Sequence, residues 1–355
     1  MIAPIRDELS LHRVLPESRI PDPYVDRNEY DVAWVDDKRW TYRSEFTTPT
    51  NLQETTRVAL VFEGLDTFAT VYLNDTVILQ SDNMFISHRV DVTKLVRPDV
   101  QNKLSIDFEP AALRGQEIVQ AHPEHRFLAS LCSPERLAVR KAQYHWGWDW
   151  GPACASAGPW RPVRLETYTS RIDDIAIQYT LEDDLKSCRA VVSAKIDGHT
   201  PGAKVKITLR SPEEDVVFGT ILPVDADGST SVEFTLSNPQ LWYPFGYGKQ
   251  PLYYLSAELV LGDDSIHLVT KRTSFRRAEL IQEADKFGKS FYFRVNNIDV
   301  FAGGSCWIPA DSFLPRLSQG DYREWLELMV EGNQIMTRLV VLQYYFLTFT
   351  NELFL

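Results

Sequence analysis

Cysteine is sparse and badly spaced for any framework. Only Cys132, Cys154, Cys188 and Cys306 occur in 355 residues, with no Cys-x-x-Cys pair. That argues against a disulfide scaffold and against a thiolate zinc site, and leaves buried free thiols. Lys/Arg blocks are missing as well. With a formal net charge of −12, nucleic acid and anionic membrane surfaces are not expected as partners, whereas neutral ligands stay open. The start, MIAPIRDELSLHR, has no apolar core of a secretory signal, so an intracellular protein is expected. The most apolar stretch, from Leu339, is bracketed by Arg338 and Glu352 and falls short of the about 20 residues of a membrane span. Internal repeats and low-complexity tracts are also absent, and no metal or cofactor is expected.

What is present is length and a β pattern. A chain of 355 residues suggests two or three domains, and 44% hydrophobic residues supply a sizeable core. Alternation places Trp40, Tyr42 and Phe46 on one face of a strand, and Leu104, Ile106 and Phe108 on one face of another. VYLNDTVIL reads as a hairpin turning at Asn74-Asp75. Many short strands with no helical period predict a jelly-roll sandwich. From Arg171, with the boundary near SRIDD, AVVSAKIDG, KVKITLRS, TSVEFTLSN and LYYLSAELVLGDDSIHLVTKRTSF predict a second, smaller sandwich.

Beyond RAELIQEADKFGKS the pattern changes. FYFRVNNIDVFAGGSCW is strand-like, and Tyr322, Trp325, Leu326, Met329 and Val330 form an apolar helical stripe. Ser318 and Asp321 predict its capping box, and Gly332 its stop. IMTRLVVL follows as a buried strand, completing a strand–helix–strand unit. Leu339 to Phe349 combine high β-propensity with no charge and no proline, and are expected to be an unpaired edge.

One stretch stands apart: VRKAQYHWGWDWGPACASAGPW, Val139 to Trp160, with four of the nine tryptophans. Two readings stand. The indoles fill a sandwich core between glycine turns, or they form a platform for a sugar, whose C–H face stacks on indole while its hydroxyls bind Asp149. Gly-Trp-Asp-Trp-Gly-Pro suits a loop rather than a strand, and a carboxylate held against aromatic faces needs hydrogen-bonding partners.

VRKAQYHWGWDWGP closely resembles the signature of β-mannosidases of glycoside hydrolase family 2, B-type. RIPDPYVDRNEYDVAWVDDKRWTYRSEF, LVFEGLDTFATVYLND, LWYPFGYGKQPLY and FAGGSCWIPADSF follow the family's order. The resemblance runs from about Pro21 to Arg338. It implies a mainly β fold: a jelly-roll, galactose-binding-like domain (1–170), an immunoglobulin-like sandwich (171–278), and the opening of an incomplete (β/α)8 barrel (279–355). It also implies retaining exo-hydrolysis of terminal non-reducing β-D-mannose, with a β-mannoside oligosaccharide or glycan as the partner. Trp148, Asp149 and Trp150 would bind the sugar, as would Arg338 at the end of the second barrel strand.

The pattern breaks in three places. After Arg338 the family continues Val-Trp-Gly-Gly-Gly-Ile-Tyr-Glu, and its acid/base and nucleophile glutamates come later still. No catalytic residue is therefore assigned here, and Glu324, Glu327 and Glu331 belong to a solvated helix face. The chain alone is expected to be inactive, as a fragment or a mis-spliced form. Gly303 and Cys306 stand where the family has Lys and Asn, while Trp307 and Asp311 match. A strand that precedes IPDPY in the family is expected to be missing. The rival reading is a non-catalytic carbohydrate-binding or interaction protein of two β-sandwiches.

Overall fold

The structure, a computed structural model, describes residues 2–6, 20–49, 52–129, 132–198 and 200–339. Two compact units emerge. The first holds Met1–Thr167 and Trp307–Asp321, the second Tyr168–Cys306 and Tyr322–Arg338.

In the first unit, one sheet orders Trp40–Thr47, Gln101–Phe108, Ala69–Leu73 and Thr76–Ser81. Trp40 lies opposite Phe108 and Tyr42 opposite Ile106, so the two alternating faces expected from the sequence meet in register. Asn74 and Asp75 turn the hairpin with φ of 47° and 68°, the left-handed pair a two-residue turn requires. The facing sheet orders Ile2–Arg6, Val163–Tyr168, Arg57–Phe62 and His88–Asp91. Val58, Leu60, Phe62, Leu104, Ile106, Phe108 and Leu165 close the core between them, each such side chain contributing roughly 1.5–3 kcal/mol. The strand Ile2–Arg6, paired antiparallel with Val163–Glu166, corrects the expectation of a missing first strand. Its sequence, IAPIR, carries a proline tolerated at a sheet edge, which hides it from a pattern search.

The second unit repeats the sandwich principle. Ser170–Leu181, Ser187–Gly198 and Ser229–Ser237 form one sheet, and Val216–Pro223, Lys204–Arg210, Tyr253–Leu261 and Asp264–Thr273 the other. Val192, Ala194, Val205, Ile207, Leu255, Ala257 and Phe275 fill the space between. A three-stranded sheet follows, Ala278–Ile281, Tyr292–Val295 and Ile298–Val300.

Gly304–Trp307 then bonds to Met336–Leu339, with the helix Gln319–Glu331 between them in sequence. Ser318 and Asp321 make the expected reciprocal cap: Ser318 Oγ donates to Asp321 Oδ2 at 2.7 Å, and Asp321 N donates back to Ser318 Oγ at 3.3 Å. Tyr322, Leu326 and Met329 are buried, and Glu324, Glu327 and Glu331 are solvent-exposed as read. Trp325, by contrast, is exposed. At 100° per residue the buried arc is narrow, and Trp325 falls just outside it. The helix stop also moves: the left-handed residue is Asn333, with φ of 52°, rather than Gly332. The expected unpaired edge, from residue 340 to 349, lies outside the described residues.

Candidate functional site

The tryptophan stretch folds as a miniature hairpin. Trp146–Trp148 pairs antiparallel with Gly151–Ala153, Trp148 opposite Gly151 and Trp146 opposite Ala153. Asp149 and Trp150 form the turn at the tip. The expectation of a loop is therefore corrected: Pro152 limits the pairing but does not abolish it. Gly147 sits at φ +82°, with Ala153 about to crowd any Cβ, so this position requires glycine.

Each tryptophan has its own role. Trp160 is buried and donates from Nε1 to Met84 O at 2.7 Å. Gly64 lies so close that an added Cβ would meet the indole at 2.4 Å. Trp146 is partly buried against Phe68, Ala111, Val139 and Ile118. Trp150 is partly buried at the turn. Only Trp148 is largely open, at 46%. The core reading thus describes Trp146 and Trp160, whereas at the tip Trp148 is left open to solvent.

Asp149 is exposed. It makes no hydrogen bond or ion pair among the described residues, which corrects the expectation of a carboxylate desolvated between indoles. Its lone pairs are free to accept from donors supplied by a ligand.

At the open end of the hairpin, away from the tip, lies a buried polar knot. Lys141 Nζ meets Asp66 Oδ2 at 2.5 Å and donates to Ser156 O at 2.6 Å. Thr67 Oγ1 donates to Asp66 Oδ1, and Ser156 Oγ to Asp66 Oδ2 at 3.2 Å. His145 leads directly into the hairpin, and its backbone carbonyl accepts from Cys154 N at 3.0 Å. Its Nε2–H donates to Ser312 O at 2.9 Å, leaving Nδ1 3.7 Å from Asp66 Oδ2. Burial, reinforced by the Lys141 charge, pushes His145 down to about 3, so the imidazole is neutral. A cleft lined by Asp66, Met84, His145, Ser156, Trp160 and Phe313 adjoins the knot. Asp36 accepts from Ala155 N at 3.2 Å and is pushed up to about 6 by burial.

The segment 311–316 is tied to residues near the chain's start. Tyr24 Oη donates to Asp311 Oδ1 at 2.7 Å and accepts from Ser312 N at 2.9 Å. Asp311 also accepts from Phe313 N at 2.7 Å and pairs with Arg316 at 3.3 Å. Its work here is to shape its own loop.

The structure brings Trp148, Asp149 and Trp150 together on one turn. Arg338 belongs to the other unit, where it is exposed on Met336–Leu339. Gly303 O accepts from Ile335 N and Met336 N at 2.9 and 3.2 Å, so the position where the family has Lys serves the strand junction through its backbone. Among the described residues, no group of three His, Cys, Asp or Glu side chains is arranged to hold a metal ion, and no helix is long and apolar enough to cross a membrane.

Sequence reasoning missed Asp66, Lys141, His145 and Arg136. Lys141 and His145 stand inside the quoted stretch, but Lys141 sits between Arg140 and Ala142, which does not mark it as buried. Asp66 lies 75 positions away from Lys141, and nothing local marks it.

The model of the glycosyl hydrolase 2 galactose-binding domain-like family matches residues 10–161, and that of glycosyl hydrolases family 2 matches residues 170–276. The chain is 44% identical over 322 residues to a protein named β-mannosidase B from Aspergillus clavatus, covering 90% of this chain and 38% of that one. It is 46% identical over 322 residues to β-mannosidase B from Thermothelomyces thermophilus, covering 90% and 37%. A crystal structure of β-D-mannosidase from Dictyoglomus thermophilum superposes with a TM-score of 0.86 at 31% identity, covering 99% of this chain and 45% of that one. The chain thus spans less than half the length of each of these relatives.

Proposed function

Since the chain belongs to glycoside hydrolase family 2, we propose that it is part of a β-mannosidase, a retaining exo-hydrolase that removes terminal non-reducing β-D-mannose from β-mannosides and oligosaccharides. The observation that carries this reading is the hairpin tip, an open indole at Trp148 next to the unpartnered carboxylate of Asp149. Trp148 stacks on the apolar face of the sugar ring, and Asp149 accepts hydrogen bonds from its hydroxyls. Trp150 braces the turn. Arg338 is proposed as a further sugar contact, acting from its own unit.

Retaining hydrolysis needs an acid/base and a nucleophile about 5 Å apart. Both are proposed to lie outside these 355 residues, in the length that the relatives have and this chain does not span. The chain alone then binds mannoside weakly, because a half-formed pocket leaves the sugar hydrated, and turns none over.

The test uses the purified chain with methyl β-D-mannoside for binding and an aryl β-D-mannoside for turnover. Asp149→Ala is expected to weaken binding about fivefold, since losing a hydrogen bond in a hydrated half-pocket costs about 1 kcal/mol. Unchanged binding would remove Asp149 from the site. Turnover by the 355-residue chain would return the catalytic carboxylates to it. Binding without turnover in a full-length counterpart would favour the non-catalytic rival.

A further inference from the structure

Trp148 is the most exposed tryptophan of the hairpin, yet one side of its ring is occupied. The guanidinium of Arg136 lies over the indole, Cζ 5.1 Å from the ring centroid. Arg136 is only 8% exposed. Its Nε donates to Gln143 Oε1 at 2.9 Å and its Nη1 donates to Gly147 O at 3.5 Å. Gln143 is fixed in turn, its amide donating to Arg136 O at 3.2 Å and to Lys141 O at 3.4 Å. Among the described residues Arg136 has no carboxylate partner. A buried guanidinium with no counter-ion is costly unless its environment answers the charge. Here two carbonyl oxygens and the negative face of an indole do so.

We propose that Arg136 is a positioning residue that clamps Trp148 from behind and so holds the opposite face of the indole ready for a sugar ring. This deepens the mannoside reading of the same hairpin and rests on it. The contact would hold an indole at the tip of a three-residue strand in one orientation. The planar fork grips the backbone at Gly147 and the ring at Trp148 at once. Lysine, a point charge on a flexible stem, does neither as well. Fixing the platform before binding removes an ordering cost from the encounter.

The test follows the indole N–H signals of the 355-residue chain, with Trp148→Phe identifying the Trp148 resonance. In the parent chain Trp148 should be as ordered as the packed tryptophans, with an order parameter near about 0.85. In Arg136→Met it should fall toward the flexible range below about 0.6 while the other tryptophans keep theirs. Arg136→Lys should restore it in part. Methyl β-D-mannoside binding should weaken about fivefold in Arg136→Met. A Trp148 that stays rigid in a folded Arg136→Met chain overturns the clamp. If that variant does not fold, Gln143→Leu, which removes the guanidinium's side-chain partner, must loosen Trp148 for the proposal to stand. The two readings fail separately. Unchanged binding in Asp149→Ala with a loosened Trp148 in Arg136→Met rejects the mannoside site and keeps the clamp. Weakened binding in Asp149→Ala with a rigid Trp148 rejects the clamp alone.

Discussion

Two of the regions where the chain exposes aromatic side chains differ in what stands behind them. The hairpin Trp146–Ala153 shows one indole and one carboxylate, backed by buried polar groups: Arg136, Lys141, Asp66 and His145. The three-stranded sheet from Ala278 to Val300 is the opposite case. Leu280, Phe293 and Val300 lie across from one another on one face, with Ala278, Val295 and Ile298 beside them. The other face carries Glu279, Arg294 and Asp299, with Arg294 Nε on Asp299 at 2.5 Å. Leu280, Phe293 and Ile298 are exposed, as are Phe287, Phe291 and Phe301 nearby. On the hairpin an open indole stands over a guanidinium and beside a free carboxylate, so polar groups lie within reach of whatever meets it. On the sheet the open side chains Leu280, Phe293 and Ile298 are all apolar, which is the usual mark of a packing surface. Exposure alone does not tell the two apart.

If that contrast is right, the hairpin's region should be fragile to loss of one polar partner. Lys141→Met leaves Asp66 buried without its counter-ion. The expected loss is about 3–5 kcal/mol, the cost of breaking a buried pair from one side. The double variant Lys141→Met, Asp66→Leu should regain most of it, because the pair's own net contribution is small. Urea unfolding of the parent and the two variants measures both numbers. A single variant within about 1 kcal/mol of the parent would mean that water reaches the knot and the contrast is weaker than drawn.

The same region should carry the pH response. His145 is held at about 3 in the fold against 6.5 in the unfolded chain, so the unfolded chain binds more protons between those values. Its contribution is complete above pH 6.5 and is lost as pH falls towards about 3. Asp36 runs the other way. Raised from 3.8 to about 6, it contributes stability that is present below about 4 and lost as pH rises through about 6. His145→Gln, uncharged throughout, should remove about 2 kcal/mol from the change in stability between pH 7 and pH 5. Asp36→Asn should steepen the fall instead. Identical pH profiles for parent and His145→Gln would show that the imidazole is solvated.

Much of this fold is legible in the sequence because each sandwich strand alternates. Trp40 and Tyr42 face Phe108 and Ile106 as the pattern requires, and Asn74-Asp75 announces its turn. The first strand is not legible, since IAPIR neither alternates nor lacks proline. The hairpin is half legible: its composition sets the stretch apart, but the positions of Trp146, Trp148, Trp150 and Trp160 cannot say which indole is core. That division depends on Phe68, Ala111 and Met84, all distant in sequence. The polar knot is least legible. A buried lysine looks like any other until Asp66 is found beside it, and that pairing is a property of the topology.

The smallest effect expected belongs to the sheet, and it is the sharpest test of the comparison. Phe287 and Phe301 are 88% and 84% exposed, so they bury little surface within the chain. Replacing both with serine should leave unfolding free energy within about 0.5 kcal/mol, the usual range for surface sites. What should change is association. Fewer exposed rings offer less surface to a hydrophobic dye and to a second chain, so dye fluorescence should drop and the solubility limit rise. Trp148→Ser should do neither to a comparable degree, because a single indole flanked by Asp149 and backed by Arg136 is not a continuous apolar patch. Should Trp148→Ser lower dye binding as much as the phenylalanine pair does, the hairpin would belong with the sheet as a packing surface, and the polar groups behind it would lose their meaning as a ligand platform.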